Sequence, residues 1–244
     1  MGIEMNISDI KVFLVNLDRN PERLAFMDEQ LGRLGIRYER VSAVDGRLLT
    51  TEEKKSQTNQ IRAFFALNRM LLDGEIGCAL SHLSIYRRMR EKGLDCALVL
   101  EDDVVLEANF IEVCNEALKF IDVNRPQVVL FSALGEAKDS GAHVEIVKSP
   151  KSFWCTDAYL ITFPAAKIVL HDNYPVYVYA DSWKRWERSY GMELYRIYPE
   201  AAHQDRAAYT TIINAASYHP SFFTRYYYKF VGRWLNPIVD RLWR

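Results

Sequence analysis

No apolar run in the sequence approaches the roughly 18–20 residues that a bilayer-spanning helix needs, so a membrane-spanning protein is not expected. Near the start there is no basic stretch followed by a long apolar one, so no signal peptide is expected either. Neither sign of charge dominates. The 31 Lys and Arg residues stand against 32 Asp and Glu, which argues against nucleic acid as a partner. Cysteine is scarce and ungrouped: Cys78, Cys96, Cys114 and Cys155 show no C-x-x-C spacing. Three of them lie in apolar stretches, so reduced core thiols are expected rather than disulfides or zinc ligands, and with them a reducing compartment. There is no internal repeat, and no cluster of histidines of the kind a metal-dependent hydrolase uses.

What is present is apolar residue in quantity. It makes up 49% of 244 residues, enough for one large domain or one domain with a small appendage. Val12-Phe13-Leu14-Val15 reads as a buried strand. Asn20-Pro21 then starts a helix in which Leu24, Met27, Leu31 and Leu34 recur at helical spacing, and Gly35 ends it. Ile36 and Tyr38 lead into a second strand closed by Val44-Asp45-Gly46. Gly74 to Gly77 lead into a helix running to about Glu91, and the strand Cys96–Leu100 follows. A helix carrying Ile111, Cys114, Leu118 and Ile121 precedes a strand over Val128–Phe131. This β-α-β-α-β-α-β order predicts an open α/β sheet, doubly wound and mostly parallel. Residues 47–72 carry no readable function. Residues 135–152 read as an exposed loop or hairpin, Phe153–Phe163 as a strand, and Pro164 as a helix start.

The triplet Glu101-Asp102-Asp103 directly follows the buried strand Cys96–Leu100. Three adjacent acids repel one another, and the mouth beyond the strand C-termini is where such sheets bind ligands, so a divalent cation is expected there. The alternative is a solvated acidic turn. Strand alternation sends Glu101 and Asp103 one way and Asp102 the other. Asp103 lies farthest into the mouth and is the expected direct metal ligand; Glu101 and Asp102 are better placed for sugar hydroxyls or for supporting contacts. An oxygen-rich site suits Mg2+ or Mn2+, and one imidazole tilts it to Mn2+. The segment Asn16 to Arg23 combines a helix start with Arg19 and Arg23, which suits a phosphate, although both can be ordinary surface charges. His82 sits on the apolar side of its helix beside Ser81, where a histidine can be a satisfied core residue or a ligand.

Together these residues resemble glycosyltransferase family 25. The similarity rests on Val12-Phe13-Leu14-Val15-Asn16-Leu17 with Arg19 and Arg23, on Ala43-Val44-Asp45-Gly46, on Gly77-Cys78-Ala79-Leu80-Ser81-His82, and on Leu98-Val99-Leu100-Glu101-Asp102-Asp103. Trp154, Thr156, Ala158-Tyr159 and Thr162 match a later strand loosely, and residues 12–110 and 153–212 are covered. The resemblance implies a GT-A-like fold over residues 1–220, an open mixed, mostly parallel sheet flanked by helices. Within it a nucleotide-sugar half spans about 10–132 and an acceptor half about 133–220. It implies an inverting transfer of galactose from UDP-galactose, or of glucose or N-acetylglucosamine, to a lipooligosaccharide or lipopolysaccharide glycan. The competing expectation is a non-catalytic sugar-nucleotide-binding protein on the same fold. The implied donor-binding residues are Val15, Asn16, Leu17, Arg19, Arg23, Ala43, Asp45, Ser81, His82, Glu101 and Asp102. The implied metal ligands are Asp103 and His203, the latter by its place after Tyr198-Pro199, with Mn2+ or Mg2+ as cofactor. An acid before aromatics recurs in the family and falls on Asp181, here preceded by Ala180 rather than the commoner Val. Asp181 is the expected base, with Asp157 second; Asp181 can equally be the N-cap of a helix carrying Trp183 and Trp186.

The last 24 residues, Ser221 to Arg244, hold five Lys or Arg and one Asp among eight Phe, Tyr or Trp. A basic aromatic helical tail of this kind suits an anionic membrane surface. Peripheral attachment to the cytoplasmic face of a bacterial inner membrane is therefore expected, unless the aromatics pack back on the domain.

Overall fold

The computed structural model describes residues 5–132, 144–148 and 154–204. The expected tail over 221–244 and most of the loop over 135–152 lie outside the described residues. After a short 3-10 turn at Ile7–Asp9, the order is β1 (Lys11–Asn16), α1 (Pro21–Arg33), β2 (Glu39–Ser42), α2 (Thr51–Gln57), α3 (Gln60–Leu67) and α4 (Asp73–Lys92). Then come β3 (Cys96–Glu101), β4 (Val104–Leu106), α5 (Phe110–Phe120), β5 (Gln127–Leu130), β6 (Glu145–Lys148) and β7 (Ala158–Thr162). The described chain closes with α6 (Phe163–Asp172), α7 (Trp183–Tyr190), β8 (Glu193–Tyr198) and β9 (Ala202–Gln204).

Seven strands form one sheet in the order β2-β1-β3-β7-β5-β8-β6, and β4 pairs separately with β9. β1 runs parallel to β2 and β3, and β5 runs parallel to β8. β7 is antiparallel to both β3 and β5, and β6 is antiparallel to β8. The sheet is therefore mixed and mostly parallel, as expected for a GT-A-like α/β fold, but not the uninterrupted doubly wound sheet that the order of the first strands suggests. A strand from the second half of the chain, β7, inserts between two strands of the first half, so both halves share one sheet.

Alternation along the central strands sorts side chains into two cores. Phe13, Val15, Ala97 and Val99 pack with α4, α6 and α7 on one face. Val12, Leu14, Cys96, Leu98 and Leu100 pack with α1 and α5 on the other. Several expected boundaries move, among them the strand expected over Phe153–Phe163, which is β7 at Ala158–Thr162. The second strand begins at Glu39, after Ile36 and Tyr38, and α4 begins at Asp73, so Gly74 and Gly77 lie inside the helix. Gly77 is there for space: a Cβ on it would overlap the Val44 carbonyl oxygen and reach 2.8 Å from the Gly46 nitrogen. The loop over 43–46 thus lies directly on the first turns of α4.

Asp172, at the end of α6, ties three helices together. Its carboxylate accepts from Arg62 of α3 (3.0 Å), Tyr177 (2.6 Å), and Trp186 (3.0 Å) and Tyr190 (3.0 Å) of α7. Burial works against its charge, but the Tyr177 hydrogen bond and the nearby Arg185 and Arg62 outweigh it and hold the pKa below the ordinary value. Asp172→Ala leaves Arg62 buried without its partner carboxylate and is expected to lower unfolding free energy by about 3–5 kcal/mol, read by urea denaturation. Because the folded pKa is depressed, the stabilisation is present above the ordinary carboxylate pKa near 4 and lost as pH falls below it. A loss below about 1 kcal/mol at neutral pH would contradict the hub role.

Candidate active site

The C-terminal ends of β1, β2 and β3 open at one edge of the sheet. Because β7 is antiparallel, its beginning lies at that edge too, with Ala158 opposite Leu100. Strand alternation continues into the acidic triplet. Glu101 turns to the α4 face and Asp102 to the α1 face, as the sequence predicts.

Asp102 is buried and fully engaged. It accepts from Asn16 at the end of β1 (2.7 Å) and from Arg23 of α1 (3.0 Å), and Asn16 also donates to the Asn20 carbonyl (3.0 Å). These bonds fasten the first strand–helix junction to the third strand, so Asp102 holds the mouth together instead of facing into it. Arg19 pairs with Asp45, which also receives Arg47. Val15 is packed in the core, and Ala43 N–H donates to the Asn16 carbonyl (2.9 Å), extending the β1–β2 ladder to the edge. Leu17, just past the end of β1, is half-buried. Ser81 is also structural: its hydroxyl accepts from Val44 N–H (2.8 Å) and donates to the Gly77 carbonyl (2.7 Å).

Glu101 and His82 meet in the interior of the site. His82 is buried, with Nε2 3.0 Å from Glu101 Oε1 and Nδ1 2.7 Å from the Tyr159 hydroxyl, which lies 2.8 Å from the Tyr86 hydroxyl. Thr156 also donates to Glu101. Burial opposes the Glu101 charge, yet His82 and Thr156 outweigh it and keep the carboxyl below its ordinary pKa. The core reading of His82 holds, since both ring nitrogens are engaged, and one of its partners is the first acid of the triplet.

Asp103 differs from its neighbours. Its Oδ2 accepts from Gln204 of β9 (3.0 Å) and lies 4.0 Å from Arg23, while Oδ1 is buried without a hydrogen-bond partner. Burial, followed by the charge of Glu101, pushes its pKa up to about 7. An unpaired buried carboxylate oxygen of this kind fits a hard divalent cation. The histidine expected to join it does not. His203 lies opposite Val105 on β9 and pairs with Glu107 (3.0 Å), and the contact to Asp103 is made by Gln204, the residue after it. No signal in the sequence marks Gln204, because its place depends on the β4–β9 pairing.

The two candidate bases separate clearly. Asp157 is buried, accepts from the Ser132 hydroxyl and from Ala158 N–H (3.1 Å), and is pushed up to about 6, first by burial. Asp181 is half-buried, and its side chain accepts from Cys155 N–H (3.3 Å). It does not cap α7: the N-cap is Ser182, and Trp183 N–H donates to the Asp181 main-chain carbonyl (2.7 Å). Burial raises its pKa, and the charge of Glu101 adds to that. Cys155 holds a left-handed backbone (φ 90°), clamped between Asp181 and the Trp183 indole, which donates to its carbonyl (2.9 Å).

A family model described as glycosyltransferase family 25 (LPS biosynthesis protein) matches residues 9–183. The chain belongs to that family. A glycosyltransferase 25 family member of Drosophila melanogaster is 30% identical over 64% of this chain and 27% of its own length. Procollagen galactosyltransferase 2 of Homo sapiens is 33% identical over 46% of this chain and 18% of its own. A Bos taurus relative described as a probable inactive glycosyltransferase 25 family member 3 is 29% identical over 66% and 28%. The chain spans less than a third of the length of these curated relatives. A solved glycosyltransferase involved in glycosylation of the major capsid of PBCV-1 shares 13% identity over 75% of each chain, at a TM-score of 0.36. The matched region of this family 25 chain takes in the whole acidic triplet, the α4 motif and Asp181.

Proposed function

We propose that this chain is an inverting, metal-assisted glycosyltransferase that moves galactose from UDP-galactose to a lipooligosaccharide or lipopolysaccharide glycan. The observation that carries the reading is the unpaired buried Oδ1 of Asp103 at the same mouth as Asp181, a carboxylate that the fold does not use as a cap. The family description, LPS biosynthesis protein, supports the acceptor class, and the galactosyltransferase relatives support the sugar. Glucose and N-acetylglucosamine donors share the same nucleotide and remain outcomes of the assay.

In this reading Asp181 takes the proton of the acceptor hydroxyl, and burial supplies the proton affinity that an ordinary carboxylate lacks. Asp103 would hold Mn2+ or Mg2+, whose charge offsets that developing on the departing diphosphate. Arg23, fixed by Asp102, and Arg19, fixed by Asp45, keep two guanidinium groups at the β1–α1 junction for the same anion. Glu101 is ionised and oriented by His82 and Thr156, as a carboxylate accepting a sugar hydroxyl must be. The deciding measurement is transfer from radiolabelled UDP-sugars to bacterial glycolipid. UDP-galactose should be used, EDTA should abolish transfer, and Mn2+ should restore it. Full activity in excess chelator would remove the metal-assisted reading. The bovine and rat relatives named probable inactive favour one alternative, a binding protein, which takes up UDP and metal without transfer.

The proposal extends to location. No helix among the described residues is long and apolar enough to cross a membrane. The basic aromatic segment after residue 220 is suited to anionic headgroups, each basic side chain contributing about 1 kcal/mol. Truncation after His219 is expected to release the protein from anionic vesicles in a flotation assay while sparing transfer to a soluble acceptor analogue. Equal flotation of both forms would exclude the tail as the membrane contact.

A further inference from the structure

Sequence spacing argues against zinc in this chain, but folding assembles a ligand set that spacing conceals. Cys78 and His82 lie four residues apart on α4, one turn apart on one face. Glu101, at the end of β3, faces them. One ligand atom from each of the three lies within 4.8 Å of the other two. Tetrahedral zinc, with bonds of about 2.0–2.3 Å, needs its ligand atoms about 3.5 Å apart, so side-chain adjustments of about 1 Å close the site.

We propose that Cys78, His82 and Glu101 form a binding site for a thiophilic divalent cation, Zn2+ above all, separate from the oxygen site at Asp103. The surroundings are those of a supported metal ligand set. The second ring nitrogen of His82 is held by Tyr159, backed by Tyr86, and Glu101 is held by Thr156. With Glu101 ionised, His82 Nε2 is the nitrogen that donates to it, and Nδ1 meets the Tyr159 hydroxyl in whichever role the tautomer leaves. Both tyrosine hydroxyls can turn, so the imidazole can carry its proton on Nδ1, donate it to Tyr159 and free Nε2 for the metal. The thiol proton leaves to solvent as the sulfur–metal bond forms. Burial, and after it the nearby carboxylates of Glu101 and Asp181, raises the Cys78 thiol, so the neutral thiol is its resting form, and the same carboxylates attract a cation. Cys78 and Glu101 are half-buried on either side of the buried His82. Bound zinc adds positive charge beside Asp103 and therefore opposes binding of the harder cation there.

Cobalt substitution reads the site without any activity measurement. Co2+ added to the full chain should give a near-ultraviolet thiolate-to-cobalt charge-transfer band at one equivalent. The band should be lost in Cys78→Ser and kept in Cys155→Ser and Asp103→Asn. Zinc affinity, by competition with a chromophoric chelator, should fall by about 100-fold or more in Cys78→Ser, above the 10–100-fold that loss of a supporting partner costs. A measurement on the unaltered protein guards against misfolding of the variant: Zn2+ should slow alkylation of Cys78, but not of Cys155, in peptide mass spectra. No charge-transfer band in the wild type, a band that survives Cys78→Ser, or Cys78 alkylation indifferent to zinc would each overturn the proposal.

Discussion

Asp103→Asn is expected to give a protein more stable than the wild type at about pH 8, yet slower in sugar transfer by about 100-fold or more. The loss is that usual when a group offsetting developing charge is removed, here the cation that Asp103 would hold. The stability gain follows from linkage. The folded-state pKa of Asp103 is raised from 3.8 to about 7, so the folded protein holds this proton more tightly than the unfolded chain. The stability tied to Asp103 is therefore present at acid pH and lost as pH rises from about 4 to about 7. About three pH units at about 1.4 kcal/mol each set a ceiling of about 4 kcal/mol, and relaxation around the charge brings the real gain below it. Asp157 and Asp181, also raised, contribute slopes of the same sign, so the difference between wild type and variant isolates Asp103. Thermal unfolding in chelator at about pH 5.5 and pH 8 measures it. Mn2+ should raise the wild-type melting temperature at the higher pH and leave the variant unmoved. A variant that still transfers sugar, or that is stabilised by Mn2+ as the wild type is, would show that Asp103 is no metal ligand.

The second large effect belongs to Asp181→Asn. The amide keeps the size of the carboxylate and can still accept from Cys155 N–H, so the clamp on that residue and the fold should survive. Turnover should fall by about 100-fold or more, the range for losing a general base, with UDP affinity within a few fold. The wild-type rate should fall as pH drops through the Asp181 pKa, which burial places above the usual carboxylate value, because the base works only when deprotonated. A helix cap would behave differently, losing melting temperature and keeping specific activity. The side chain bonds to Cys155 and not to α7, so loss of a cap is not the expected outcome. A variant with normal turnover would pass the role of base to another group.

Much of this was legible in the residues themselves. Strand alternation alone sends Glu101 and Asp102 to opposite faces, because the period of two survives to the end of β3. Buried strands read as continuous apolar runs, and Gly35, in left-handed conformation, follows the end of α1 where a side chain would be strained. Gly77 is conspicuous in sequence, yet its reason, contact with the Val44 carbonyl, exists only after folding.

Local periodicity and short motifs carry the α/β class, the family, and the position of the acidic triplet beyond a buried strand. Tertiary structure decided which acid does what. Asp102 is taken by Asn16 and Arg23, Glu101 by His82 and Thr156, and Asp103 by Gln204 at Oδ2 alone, because partners from strands and helices far apart in sequence reach all three acids yet leave Asp103 Oδ1 unpaired. It also placed Gln204 rather than His203 at Asp103 and brought Cys78 to His82 and Glu101. Both results depend on long-range pairing, of β9 with β4 and of α4 against the end of β3, and pairing across such separations leaves no mark on local sequence.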